Sequence, residues 1–178
     1  MDIQKIISLV TKTQGLIKNR EMAAHVKEKG LADYVTQVDI AVQNFLKKEL
    51  FALAPDIQFL GEETGLQEIK ADSFWILDPV DGTTNLMHDY QHSVVSLALC
   101  RQGDIIMGII YDPFRDEVFS AIKGKGSFLN GQPIHVSNAE KLSDTMIGLG
   151  TAKRELADEN FARFRRVFGQ CQDVRRIG

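Results

Sequence analysis

The chain has 178 residues, enough for a domain with a real core, and its 44% apolar and 25% charged residues are an ordinary globular composition. A net charge of −3 without any basic block or stripe argues against nucleic-acid binding. A mildly acidic protein repels anions at long range, so any anion it handles needs a local cation.

Cys100 and Cys171 lack CxxC spacing, which argues against a zinc site or a disulfide framework. They read as buried free thiols of a reducing compartment. Asp2 and Lys5 put charge where a signal peptide would be apolar, and no stretch approaches the roughly 18 apolar residues of a membrane span. The expected location is the cytoplasm, with no membrane partner.

In chain order, Ile3, Ile6, Ile7, Val10, Leu16 and Ile17 have helical spacing and predict one helix over 3–17. Lys27 to Asp33 is charged and carries Gly30, so it reads as a loop or turn. Thr36 opens a second helix, marked by Val38, Val42, Phe45, Leu46, Leu50 and Leu53, with Glu49 its polar interruption and Pro55 past its end. Thr36-Gln37-Val38-Asp39 resembles a capping box with Asp in place of Glu.

Short strands are expected at Ile57 to Leu60 and Phe74 to Leu77. A meander follows at His92 to Cys100, Ile105 to Tyr111, Glu117 to Ile122, Ser127 to Leu129 and Ile134 to Val136. Gln102-Gly103-Asp104, Lys123 to Gly126 and Asn130-Gly131 supply the turns. Thr145 to Leu149 is a further strand, Asp158 to Phe168 an Arg-rich helix, and Val174 to Ile177 the start of another strand. Ending at Gly178 inside a β-like run suggests that the natural polypeptide continues.

Carboxylates gather at the ends of these elements: Asp39 in a first helical turn, Glu62-Glu63 after one strand, Asp78 and Asp81 after another. Taken singly, Asp39 is a helix cap, Glu62-Glu63 a solvated turn and Asp81-Gly82 a common turn pair. Together they cannot all stay ionised without a counter-charge, and oxygen-only ligation suits Mg2+ rather than zinc. Pro79 biases Asp78 toward extended backbone, so Asp78 and Asp81 can face one site with the Val80 carbonyl between them. Gly82-Thr83-Thr84 then offers backbone N–H groups to an anion.

Asp78-Pro79-Val80-Asp81-Gly82-Thr83-Thr84-Asn85 resembles the D-P-[ILV]-D-G-T-[TS]-N signature of the inositol monophosphatase family, residue for residue. Lys29 to Asp39, Gly61-Glu62-Glu63, Trp75-Ile76-Leu77 and Gly124 to Gly131 are similar to its other segments, in order and spacing. The resemblance implies an α+β fold, the layered αβαβα sandwich of inositol monophosphatases and fructose-1,6-bisphosphatases. Its metal- and phosphate-binding portion would span 1–140, and a C-terminal αβ portion would begin over 141–178.

The resemblance also implies roles. Glu62, Asp78 and the Val80 carbonyl would bind a first Mg2+, and Asp78 and Asp81 would share a second. Glu62, with waters, would hold a third. Asp81 and the Gly82 and Thr83 amides would hold substrate phosphate. Thr83, supported by Asp39, would orient and deprotonate the attacking water, with Glu62 counted among the catalytic groups. Lys29 would lie near the phosphate. The family's W-D-x-A segment, whose Asp completes the second metal site, has no counterpart here, so these 178 residues alone are expected to be weakly active or inactive.

The expected activity is hydrolysis of inositol monophosphate or a similar small polyol phosphate, inhibited by lithium, in a homodimer. Asn85-Leu86-Met87-His88 favours inositol phosphates over fructose 1,6-bisphosphate, histidinol phosphate or 3′-phosphoadenosine nucleotides. A regulatory binding protein on the same fold is the remaining alternative. His88, His92 and His135 read as loop or strand residues, and Arg163, Arg165, Arg166, Arg175 and Arg176 as a solvated face or a subunit contact.

Overall fold

The apolar repeat at the N-terminus winds into α1 (Ile3–Thr11), capped by the Asp2 carboxylate, which accepts from the Gln4 amide at 3.0 Å. The structure, a computed structural model, describes residues 2–30, 33–64, 68–150 and 156–176, and of residues 29, 30 and 33 only the backbone.

The single helix expected over 3–17 is broken into α1 and α2 (Gln14–Ile17), with α3 (Arg20–Ala24) following. Thr13 explains the break. It is fully buried, and both its hydroxyl (2.6 Å) and its amide (3.1 Å) donate to the Val10 carbonyl. That carbonyl would otherwise continue the helical ladder to residue 14.

The loop or turn expected over 27–33 lies within a hairpin. β1 (Val26–Gly30) pairs antiparallel with β2 (Asp33–Thr36), in a register that sets Val26 opposite Thr36. Val35 is buried, so an apolar anchor outweighs the charged run around it. Leu31 and Ala32 lie outside the described residues, as does the side chain of Lys29.

Thr36 then caps α4 (Gln37–Leu53) through a capping box with Asp39, as its sequence implies. Val38, Val42, Leu46 and Leu50 form the buried stripe of α4. The polar residue inside that stripe is Gln43, 4% exposed, rather than Glu49, which is half-buried.

A seven-stranded sheet follows, in the order β3-β4-β5-β6-β7-β8-β9. Its strands are β3 (Gln58–Gly61), β4 (Ser73–Asp81), β5 (Val94–Arg101), β6 (Asp104–Asp112), β7 (Glu117–Ile122), β8 (Gly126–Leu129) and β9 (Gln132–Ile134). β3 and β4 run parallel, and every later neighbour is antiparallel. The tight turns have the expected chemistry: Gln102 and Gly103 take φ of 53° and 82°, and Asn130 and Gly131 take 48° and 79°. Consecutive left-handed residues match the twist of hairpin strands. β9 ends at Ile134, earlier than the expected Ile134 to Val136, and Val136 is 93% exposed.

Alternate residues of the sheet point to one face, where Trp75, Leu77, Val95, Leu97, Leu99, Ile109 and Tyr111 are buried in one cluster with Ile6, Val10 and the α4 stripe. Each such side chain contributes about 1.5–3 kcal/mol on burial, which holds α4 and β4, the carriers of Asp39 and of the Asp78–Asp81 segment.

The chain divides into two compact units, Met1–Ile134 and His135–Gly178. The second carries β10 (Met146–Gly148) and β11 (Asp173–Arg175), paired parallel, with α6 (Ala157–Phe168) between them in sequence. No residue of α6 is buried, and Arg163, Arg165 and Arg166 are exposed along it. Among the described residues no helix is long and apolar enough to cross a membrane. Both cysteines are free; Cys100 is buried as expected, whereas Cys171 is half-buried.

Candidate active site

β4 does not stop at Leu77. It runs through Asp78 and Pro79 to Asp81, and its pairing with β5 slips on the way: Asp78 faces Ser96, yet Asp81 faces Val94. Three steps on β4 against two on β5 make a β-bulge. Pro79, which has no N–H to give the ladder, sits inside it. The bulge sets how Asp78 and Asp81 are presented, and the Val80 amide folds back to donate to Asp78 Oδ1 at 3.1 Å. Val80 itself is 3% exposed and anchors the bulge in the core.

Gly82 follows in a left-handed conformation, φ 92°, and begins α5 (Thr83–Met87). A Cβ there would lie 2.9 Å from the His92 carbonyl oxygen, so both conformation and space demand glycine. Ser93 Oγ donates to the Gly82 carbonyl at 2.8 Å, and Asn85 Nδ2 donates to the His92 carbonyl at 2.8 Å. These bonds tie the signature to the loop before β5. The first turn of α5 leaves N–H groups without intrahelical acceptors.

The Thr83 hydroxyl joins the bulge to α4. Its Oγ1 lies 3.0 Å from the Val80 carbonyl oxygen and 3.1 Å from Asp39 Oδ1. One proton cannot serve both acceptors fully, so the hydroxyl chooses between them. Asp39 is 1% exposed, and its other oxygen, Oδ2, accepts from the Thr36 amide (2.8 Å) and the Thr36 hydroxyl (2.5 Å). Asp39 is thus both a helix cap and a partner of Thr83.

Glu62 opens a single 3-10 turn, Glu62–Thr64, after β3. That turn is clamped by Gln43, whose Oε1 accepts from the Glu63 amide at 3.0 Å and leaves no room for a Cβ on Gly61. Glu62 comes within hydrogen-bonding and charge contact of Asp78, and Asp81 adds its own charge. Burial first, then Glu62 and Asp81, push the Asp78 carboxyl up to about 7.

The structure therefore joins Asp39, Thr83, Val80, Asp78 and Glu62 in one continuous set of contacts, with Asp81 near enough to add its charge to Asp78 and Gly82 as the left-handed turn that follows. Among the described residues no three His, Cys, Asp or Glu side chains close tightly enough to form a finished metal cage. The donors present are nevertheless all oxygen, and their mutual repulsion adds to burial in raising the Asp78 carboxyl. A hard divalent cation such as Mg2+ would relieve that repulsion, so the residues fit it. His88 and His92 lie on the loop after α5, and His135 follows β9 in the chain.

Sequence reasoning did not single out Gln43 or Ser93. Gln43 had one signal, a polar residue four positions after Asp39 within an apolar stripe. Ser93 had none, because its partner, Gly82, is set by the register of β5.

The chain matches the profile of the inositol monophosphatase family over residues 2–178. An inositol-1-monophosphatase of Rhizobium meliloti is 39% identical over 160 residues, 86% of this chain and 59% of that protein. A protein of Xylella fastidiosa described as Nus factor SuhB is 36% identical over 162 residues, 90% of this chain and 58% of its own length. The chain thus spans somewhat under two thirds of these relatives.

Among solved structures, the extragenic suppressor protein SuhB of Bartonella henselae superposes with a TM-score of 0.92 at 32% identity, over 99% of this chain and 70% of that one. An inositol monophosphatase of Thermotoga maritima gives 0.86 at 28% identity, over 99% of this chain and 68% of that one. These likenesses give the chain the α+β layered-sandwich fold class expected from its motifs. By profile, sequence and fold together, the chain belongs to the inositol monophosphatase family.

Proposed function

We propose that the protein is a Mg2+-dependent phosphomonoesterase that hydrolyses inositol monophosphate or a similar small polyol phosphate. The observation that carries this reading is the Asp39–Thr83–Val80 contact running into the Glu62, Asp78 and Asp81 carboxylates. A solved relative described as an IMPase/NADP phosphatase, 26% identical with a TM-score of 0.84, is complexed with Mg2+ and phosphate, which supports the choice of metal and ligand.

Glu62, Asp78, Asp81 and the Val80 carbonyl would hold Mg2+, which supplies charge neutralisation for the phosphoryl group and a more acidic water. With the Val80 carbonyl so engaged, the Thr83 proton falls to Asp39, already 3.1 Å away. The Thr83 oxygen is then a free acceptor that orients an attacking water. Asp39 holds that proton in a buried place and is itself held by Thr36. The Gly82 and Thr83 amides, with Asp81 beside them, face the phosphate. The chemistry asks mainly for positioning and charge neutralisation. Arg165, Arg166 and Arg176 are exposed and would be open to a second subunit, whereas Arg163 and Arg175 already pair with Glu159 and Asp173; the cytoplasm is the setting this chemistry suits.

The test has two parts. Calorimetry reads Mg2+ binding to this chain, and phosphate release is followed from inositol 1-phosphate and a panel of small phosphate esters, with the chain extended to its relatives' length. Mg2+-dependent turnover that lithium inhibits supports the reading; tight Mg2+ binding with no turnover on any ester refutes it. The Nus factor name among the relatives favours a second reading, a regulatory binding protein. Under that reading Asp81→Asn leaves the function in place, whereas under the first it removes it.

A further inference from the structure

Two polar side chains are buried in α4, Asp39 at 1% exposure and Gln43 at 4%. They stand four positions apart, so they share one face of the helix at roughly 6 Å from each other. Each holds a different part of the site. Asp39 Oδ1 accepts from the Thr83 hydroxyl at 3.1 Å, and Gln43 Oε1 accepts from the Glu63 amide at 3.0 Å. The Glu63 N–H can only donate, so the carboxamide must present its oxygen and not its NH2. A Cβ on Gly61 would overlap that carboxamide and the ring of Phe59. Gln43 is therefore wedged as well as bonded.

The sheet does not by itself place Glu62. β3 stays in register with β4 as far as Gly61 opposite Leu77, one residue short of Glu62 and Asp78. Beyond that point the Glu62–Thr64 turn closes on itself, because Thr64 Oγ1 donates to the Gly61 carbonyl at 2.7 Å. That bond shapes the turn without tying it to a neighbouring element. Gln43 ties it to α4, whose other buried polar group holds Thr83. One helix of 17 residues thus sets the spacing between the carboxylate that meets Asp78 and the hydroxyl that meets Asp39.

We propose that Gln43 is a positioning residue of the carboxylate site: acting through the Glu62–Thr64 turn, it fixes Glu62 against Asp78 tightly enough for the site to select Mg2+ over Ca2+. The inference rests on the proposed function, which makes Glu62, Asp78 and Asp81 the metal carboxylates. Mg2+ takes oxygen ligands at about 2.1 Å in a near-ideal octahedron, whereas Ca2+ takes them at about 2.4 Å in looser arrangements. A loosely held Glu62 carboxylate therefore costs Mg2+ more than Ca2+. A Gln43 that only satisfied a buried amide would change stability and treat both ions alike.

Calorimetry with Mg2+ and with Ca2+ tests this, beside urea unfolding in chelator. Gln43→Met keeps the bulk of the side chain and loses its oxygen. It should weaken Mg2+ binding about tenfold or more, the usual scale for removing a group behind a metal ligand, and Ca2+ binding less than about threefold. Gly61→Ala, which displaces the carboxamide without removing it, should move the ratio the same way. Gln43→Glu keeps an oxygen for the Glu63 N–H in either protonation state and should recover the ratio, because its added charge acts on both divalent ions alike. Leu50→Val, a buried change farther along the same helix, should lower stability and leave the ratio in place. An unchanged ratio in Gln43→Met, or in Gly61→Ala where Gln43→Met does not fold, overturns the proposal, and wild-type Mg2+ binding then leaves the proposed function standing. A ratio lost equally in Leu50→Val also overturns it. Wild-type protein that binds neither ion removes the proposed function, and this inference with it.

Discussion

Replacing Asp39 separates its two duties. Asp39→Ala removes the acceptor of the Thr36 amide, the Thr36 hydroxyl and the Thr83 hydroxyl at a residue 1% exposed. The Thr83 proton can turn to the Val80 carbonyl, 3.0 Å away, but the Thr36 amide has nowhere to turn. Loss of a cap and a buried donor left unpaired sum to about 3 kcal/mol of lost stability. Asp39→Asn behaves differently. Its amide oxygen can face Thr36 and keep both of those bonds, while its NH2 faces Thr83 and donates to the hydroxyl oxygen. The expected cost is about 1 kcal/mol, because a charged acceptor becomes neutral. The Thr83 oxygen is now occupied, and its own proton goes to Val80. Turnover should therefore fall about 100-fold or more, the usual range for losing acid–base assistance. Urea unfolding at neutral pH with chelator reads stability, and phosphate release reads turnover. Equal destabilisation by the two variants would show that Thr36 does not depend on Asp39, and an Asp39→Asn protein within threefold of wild-type turnover would refute the Thr83 role.

Asp78 makes metal-free stability depend on pH. The folded protein keeps that proton until about pH 7, against 3.8 for the free carboxyl, so stability falls as pH rises between those values. The group is partly exposed, and solvent screening reduces the effect to about 1–2 kcal/mol. Thermal melts in chelator at pH 5 and 8 should show the decline, Asp78→Asn should flatten it, and Mg2+ should restore stability at pH 8; a slope unchanged in Asp78→Asn contradicts the assignment. Gly82→Ala forces a left-handed alanine with its Cβ 2.9 Å from the His92 carbonyl, so it should cost about 2 kcal/mol or more by denaturant titration; a cost under about 0.5 kcal/mol contradicts the caged turn. Asp81→Asn, at an exposed residue, should leave the melting temperature in place while turnover drops by orders of magnitude; near-normal Mg2+-dependent turnover would remove Asp81 from the site.

Local physics made much of this chain legible. The capping box at Thr36 and Asp39, the apolar stripe of α4 and the left-handed turns at Gln102-Gly103 and Asn130-Gly131 each depend on residues within a few positions of one another. So does the signature from Asp78 to Asn85, whose residues are all delivered by one strand end and one turn. The failures were also physical. Thr13 looked like any polar residue between helical repeats, but burial made it turn on the Val10 carbonyl and break the helix. The charged 27–33 segment looked like a loop or turn until Val35 gained a buried place opposite Lys27.

By itself the sequence determined the chemistry available: which carboxylates, which glycine, which hydroxyl, and the helix and turns that carry them. Tertiary structure decided how they meet. The bulge between Asp78 and Asp81 exists because β5 pairs in a register that β4 cannot follow without an extra residue. Gln43 reaches Glu63 across 20 positions, Thr83 reaches Asp39 across 44, and Ser93 reaches Gly82 only after β5 is aligned. Such contacts have no local signature, because their energy is gained only once the core between α4 and the sheet has closed.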